Sequence, residues 1–133
     1  MDPDEYRAIR PLWTAHSRAE EAHDIPDLMA ALTEDCVYTV VNSGVTWLGK
    51  AGATQFYQQL LTAFPDIRFD LQNIVIGPQG VFEEALATGT YQPPWLDMPP
   101  PSGRQIRFFV TILFSWDPKQ KLFTDERVYF FIK

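Results

Sequence analysis

The chain has 133 residues, which suits one domain over 1–133 and leaves little room for a second. Apolar residues make up 46% of it, with ten Phe, five Tyr and four Trp, so it can build a real core and is not a disordered chain. A formal charge of −6 without a basic stripe argues against a nucleic-acid partner, and the small Arg104/Arg107 cluster reads as the start of a strand leaving a loop.

The opening Met1-Asp2-Pro3-Asp4-Glu5 is not the positive-then-apolar pattern of a secretory signal, and no long apolar run could span a membrane. A soluble, cytoplasmic protein with no membrane partner is expected. Pro3 and Asp4 look like a helix start. Ile9, Leu12, Trp13, His16 and Ala19 then recur at helical spacing to about His23, with Pro11 leaving the start of the helix open. Asp24-Ile25-Pro26-Asp27 reads as a cap and first turn of a short helix carrying Leu28, Met29, Ala31 and Leu32. Thr33-Glu34-Asp35 ends that helix, and Cys36 to Val41 is a strand. The single cysteine, Cys36, has no partner for an intramolecular disulfide and reads as a packed, inert thiol.

Asn42-Ser43-Gly44 turns the chain, and Trp47-Leu48-Gly49 leads into a third helix from about Lys50 to Ala63, closed by Pro65. Ile67–Ile76 and Val81–Tyr91 pair as a hairpin across Gly77-Pro78-Gln79-Gly80. The segment from Gln92 to Gly103 holds five prolines and cannot be a central strand. Gln105–Trp116 and Leu122–Ile132 are two further strands around Asp117-Pro118-Lys119. Helices followed by an antiparallel meander, packed on one face, define the α+β class.

Several phrases along this order carry a resemblance. They are Ala22-His23-Asp24, Leu32-Thr33-Glu34-Asp35-Cys36-Val37-Tyr38, Trp47-Leu48-Gly49, Ala63-Phe64-Pro65-Asp66, Ala87-Thr88-Gly89-Thr90 and Asp125-Glu126-Arg127-Val128-Tyr129-Phe130. Together they make the chain similar to the SnoaL-like, polyketide cyclase-like branch of the nuclear transport factor 2-like superfamily, over nearly its whole length. The resemblance implies a cone of three N-terminal helices on a curved antiparallel or mixed sheet around an apolar cavity. It also implies a homodimer through the sheet's outer face. Members include cyclases, isomerases, dehydratases, epoxide hydrolases and non-catalytic modules, so the site must be argued from residues.

The acid and base positions that the resemblance implies are replaced here. Thr111 and Val128 stand where SnoaL-type cyclases carry His and Asp, and Val40 stands where ketosteroid isomerases carry a carboxylate. The remaining candidates for proton transfer are Glu84, expected to point inward with Glu83 facing away, together with Glu126 and His16. Against this stands the plainer reading of Glu84 and Glu126 as rim or dimer-face residues and of His16 as a half-buried helix histidine. Trp13, Tyr38, Trp47, Phe56 and Trp95, with Thr111 and Val128, are the expected ligand-contacting wall. The proline-rich segment is either a lid bringing Trp95 to a ligand or a connection packed on a partner subunit.

His16, Glu20 and His23 could share a helix face, but no fourth ligand exists, so no metal is expected. No phosphate loop or Gly-x-Ser-x-Gly elbow occurs, and no cofactor is expected. The function expected is isomerase- or lyase-type acid–base chemistry on a small lipophilic molecule, a polycyclic or aromatic carbonyl compound. A ligand-binding or dimerisation module of the same fold is the alternative.

Overall fold

The computed structural model describes residues 1–96, 98 and 103–131. Helix α1 runs Pro3–Glu21, the earlier of the starts that Pro11 left open. Asp2 caps it by accepting the Asp4 N–H at 2.8 Å. Pro11 lies inside the helix, which continues through it. The buried stripe is Ile9, Trp13, His16 and Ala19. At the far end the Asp24 N–H donates to the Ala19 carbonyl and the His23 N–H to the Glu20 carbonyl, a Schellman pair that holds His23 at a φ of 56°.

Helix α2 is Ile25–Met29, capped by Asp24. Strand β1, Leu32–Val40, begins earlier than the sequence suggested, because Leu32 pairs with Phe123 and draws Thr33-Glu34-Asp35 into the strand. A short strand β2, Val45–Leu48, turns back on β1 and was read only as the approach to a helix. Helix α3 is Gly49–Ala63. Gly52 faces the Trp47 backbone so closely that a Cβ there would stand 2.9 Å from the Trp47 carbonyl carbon, which fixes α3 beside β2.

Strands β3 (Arg68–Gly77), β4 (Gly80–Tyr91), β5 (Arg104–Asp117) and β6 (Leu122–Phe131) form the expected meander. The six strands lie in the order β2-β1-β6-β5-β4-β3, with β1 parallel to β6 and every other pair antiparallel. The sheet is therefore mixed and open, with β2 and β3 at its edges. Register shifts place extra residues in β1, β3 and β6, which bend those strands.

Two side-chain clamps fix the layers. Glu5 accepts from Trp116 Nε1 at 2.6 Å and Lys121 Nζ at 2.7 Å, tying the start of α1 to the β5–β6 end of the sheet. Asp66 accepts from the N–H and hydroxyl of Thr90, both at 2.7 Å, fastening the chain after α3 to β4.

Directly opposed residues share a sheet face. One inward row is Val81, Phe114, Glu126, Tyr38 and Trp47; the next is Glu83, Ile112, Val128 and Val40. An outward row beyond the second is Asn73, Glu84, Thr111 and Tyr129. Among the described residues no helix is long and apolar enough to cross a membrane.

Candidate active site

Four elements bring polar groups to one point inside the cone. Position on the buried stripe of α1 aims His16 at the sheet, and inward parity on β6 aims Glu126 back at it, with His16 Nε2 at 3.2 Å from Glu126 Oε2. Tyr38 on β1 sits beside Glu126 in the parallel register and donates its hydroxyl to the same oxygen. Tyr57 lies on the buried face of α3, with its hydroxyl 3.3 Å from both Glu126 Oε2 and His16 Nε2 and 2.9 Å from the Tyr38 hydroxyl. Three groups thus converge on one carboxylate oxygen. Glu20, one helical turn beyond His16, and Glu83 on β4 add two more acids to the same interior.

The electrostatics follow from burial and from this surplus of acids. Burial pushes the His16 imidazole down, but the Glu126 carboxylate beside it, helped by Glu20 and Glu83, wins and raises it to about 9. Burial raises Glu126, and His16 only partly offsets the rise. Glu20 and Glu83 are raised by burial too. Glu83 adds to the Glu20 shift by repulsion, while His16 pulls both down. Glu20 keeps partial surface exposure, although protein atoms crowd its carboxyl group. Trp13 Nε1 helps hold Glu83 down, yet its N–H falls outside hydrogen-bonding geometry, so the interaction is a dipole contact rather than a bond. Burial also holds the Tyr57 hydroxyl well above its ordinary range, so it stays a donor.

Of the proton-transfer candidates read from the sequence, His16 and Glu126 are brought together, 2% and 1% exposed as whole residues. Glu84 is not part of the site. It lies on the outer face, where Asn73 Nδ2 donates to it at 3.1 Å, and its neighbour Glu83 points inward. The reason is parity. Glu84 is an odd number of residues from the buried Gly89, whereas Glu83 is an even number from buried Ala85 and Ala87. Thr111 shares the outward row with Glu84 and is likewise not in the cone; Val110 and Ile112 hold the inward positions on β5. Trp13, Tyr38, Trp47, Phe56, Trp95 and Val128 are all buried in the interior, as is Val40.

Glu83, Glu20 and Tyr57 are the residues that sequence reasoning missed. Tyr57 lies within the third helix and was not singled out, and Glu20 was considered only as a metal ligand. His23 Nε2 donates to the Ile67 carbonyl at 3.1 Å, and among the described residues no group of three or more His, Cys, Asp or Glu side chains, the His16/Glu20/His23 set included, is placed to hold a metal ion. Cys36 is buried, and burial, then the Glu126 charge, push its thiol up to about 11.

The cone is largely filled by its own side chains. The cavity beside Glu20, Tyr57 and Glu126 leaves about 10 Å³ for the centre of a water-sized sphere. Trp95, from the proline-rich segment, is 3% exposed and packs edge-on against Phe56, Phe64 and Phe130 at 5.9–6.4 Å. The Tyr91 hydroxyl holds this turn by accepting from Trp95 N at 3.3 Å and donating to the Met98 carbonyl at 2.8 Å. Residues 97 and 99–102 of the segment lie outside the described residues.

A mixed sheet backed by three helices around a buried polar focus defines a nuclear transport factor 2-like, ketosteroid isomerase-like fold. Residues 13–122 match the SnoaL-like domain family, and the chain belongs to that family. Solved structures agree on the fold. A candidate SnoaL-like polyketide cyclase from Jannaschia sp. CCS1 is 20% identical, with a TM-score of 0.82 over 98% of this chain and 89% of its own. A candidate polyketide cyclase from Xanthomonas campestris is 21% identical, with a TM-score of 0.75 over 94% and 91%. An epoxide hydrolase of Mycobacterium tuberculosis, related to the LEH type, is 21% identical, with a TM-score of 0.70 over 96% and 85%. No curated protein matches the sequence.

Proposed function

We propose that the chain is a SnoaL-like enzyme that moves protons on an uncharged, lipophilic carbonyl compound, with Glu126 and His16 as the acid–base pair. The observation that carries this reading is the convergence of His16, Tyr38 and Tyr57 on Glu126 Oε2 inside an apolar cone. Well-packed apolar residues often serve stability as well as or better than a buried ion pair, and a titratable group shifted by burial and a charge partner inside a pocket marks a functional-site candidate. Glu126 would take a proton from the carbon next to the substrate carbonyl and His16 would return one. The Tyr57 and Tyr38 hydroxyls, released from Glu126 as it is protonated, would donate to the oxygen where charge develops. The surplus of acids disfavours an anionic substrate.

A homodimer through the outer face of the sheet belongs to the same proposal. Leu86, Phe109 and Phe131 lie side by side on that face, with Phe109 and Phe131 47% and 54% exposed.

One observation favours a second reading, a module that binds or dimerises without turnover: the cavity has room for a water rather than a ring system. The test is to mix the protein with aromatic and steroid ketones in deuterated water and follow exchange at the carbon next to the carbonyl. Tryptophan fluorescence, reporting through Trp13, Trp47 and Trp95, reads binding in parallel. Exchange by the native chain and its loss in Glu126→Gln supports the enzyme. Binding without exchange moves the protein to the ligand-binding form of the second reading, and absence of both across the panel moves it to the dimerising form.

A further inference from the structure

We infer that Phe130 is a size-selecting gate between a ligand-docking pocket at the mouth of the cone and the small cavity at Glu126, and that the ligand it admits is an uncharged, single-ring ketone. The inference rests on the reading of Glu126 as the base and narrows the substrate class of that reading. The docking pocket has a volume of about 230 Å³. Trp95, Leu96, Met98 and Val40 make its apolar wall, with Asn42 and Ser43 beside them. Among the described residues, Phe130 alone lines both this pocket and the cavity at Glu126. The two spaces lie side by side on the sheet, because Val40 in the first pairs directly with Val128 in the second.

Of the two rings at the boundary, Phe130 is the one free to turn. Trp95 is wedged among Phe56, Phe64 and Phe130, and the Tyr91 hydroxyl pins its turn. Phe130 is half-buried, with edge contacts to Trp95 at 6.0 Å and Phe108 at 5.4 Å. Its backbone is anchored on both sides. The Phe130 N–H donates to Asn42 Oδ1 at 2.7 Å, and its carbonyl accepts from Asn42 Nδ2 at 3.0 Å. The ring can therefore change rotamer without disturbing β6. A second observation marks the pocket. Leu96 in its wall holds a φ of 52°, a left-handed conformation that costs a non-glycine residue energy and clusters at ligand sites.

The chemistry of the pocket selects the ligand. Drug-sized molecules occupy sites of about 300 Å³ and more, so the mouth pocket takes one ring rather than several. Among the described residues no charged side chain lines it, which favours a neutral molecule. Ser43 Oγ reaches the Val40 carbonyl only at 3.4 Å, a weak bond, so its hydroxyl is free to donate to a ketone oxygen instead. When Phe130 swings out, the phenyl-sized space it leaves joins the cavity beside Tyr57 and Glu126, whose own room is about 10 Å³. One ring then replaces another, and a fused second ring finds no space in a close-packed interior.

Two probes test this on the full chain with labelled Leu and Met methyl groups: acetophenone, with one ring, and 2-acetonaphthone, with two. Acetophenone should shift the Leu96 and Met98 methyl signals saturably. It should bind the native chain about 10-fold more tightly than acetonaphthone, the lower end of what a misfitting group costs in an apolar pocket. Phe130→Ala should abolish that preference, and Phe130→Leu, which keeps more of the packing, should reduce it. Ser43→Ala should weaken acetophenone but not ethylbenzene, which has no oxygen to bond. Equal affinity of the two ketones for the native chain, an unchanged preference in both Phe130 variants, or no saturable shift at Leu96 and Met98 would overturn the gate. Deuterium exchange beside the carbonyl tells the two failures apart. Exchange that is lost in Glu126→Gln, with a preference unmoved at Phe130, removes the gate alone; a gate that behaves as expected without exchange removes the enzyme alone.

Discussion

His16 Nε2 lies 3.2 Å from Glu126 Oε2, and both side chains are 1% exposed, so each charge has the other in place of water. Burial alone would discharge the imidazole; the carboxylate is what keeps it protonated to about 9. Glu126→Gln preserves the shape and an acceptor for Tyr38 but removes the charge. The His16 ring should then titrate below its ordinary 6.5, followed by its ring resonances. Glu126→Ala strands a buried imidazole beside two tyrosine hydroxyls and should cost about 3–5 kcal/mol in denaturant unfolding. A His16 value that stays near 9 in Glu126→Gln would show that Glu126 does not govern it.

The same groups set the pH dependence of stability. His16 holds its proton more tightly folded than unfolded, so its contribution is complete below about 6.5 and is lost as pH rises through about 9. Glu20, Glu83 and Glu126 are raised as well. The unfolded chain releases their protons above about 4.5 while the folded chain holds them to a higher pH, so stability falls as pH rises through that window. Asp66, held down by the Thr90 bonds, works oppositely and matters only as pH falls through the carboxylate range. The melting temperature should therefore be highest in mild acid and decline steadily to pH 9, with His16 alone worth on the order of 3 kcal/mol. Glu83→Gln should flatten the decline by removing one acid that must stay neutral. Calorimetry from pH 5 to 9 reads this, and a level profile above 6.5 would contradict it.

The sequence made the meander legible because β3 to β6 are long and their turns are marked by Gly77-Pro78-Gln79-Gly80 and Asp117-Pro118-Lys119. It did not reveal that β6 lies parallel to β1, since that contact joins residues as distant as Tyr38 and Glu126. It also hid β2, whose four residues run straight into α3. At the site, His16 was visible as a polar interruption of an apolar stripe. Glu83 was not, because both faces of β4 carry apolar residues: Phe82 and Leu86 on one, Val81 and Ala85 on the other. On a strand with two apolar faces, composition carries no parity, and only pairing decides which carboxylate is inside.

The outer face gives a prediction independent of the cone. Phe109 pairs with Leu86 on one side and Phe131 on the other, making an apolar stripe across three strands. Phe109→Glu should convert a dimer into a monomer in sedimentation equilibrium while leaving the His16 titration unchanged, because residue 109 faces away from the cavity. A native chain that sediments as a monomer at all concentrations would remove the outer face as an interface.

Trp95 decides how the cone opens. Its ring fills the space between Phe56, Phe64 and Phe130, and Phe56 and Phe130 also border the small cavity beside Glu126. Trp95→Ala should therefore cost about 3–5 kcal/mol of stability, as large core truncations do. It should also join the vacated volume to the polar focus. An apolar cavity of that size binds small aromatic molecules, so the variant should take up a compact aromatic ketone more tightly than the native chain does. If the native cone admits substrate by displacing Trp95, affinity in the variant rises because that displacement no longer opposes binding. Loss of stability without any gain in binding would mean that the ring is structural filling and that ligands never enter past it.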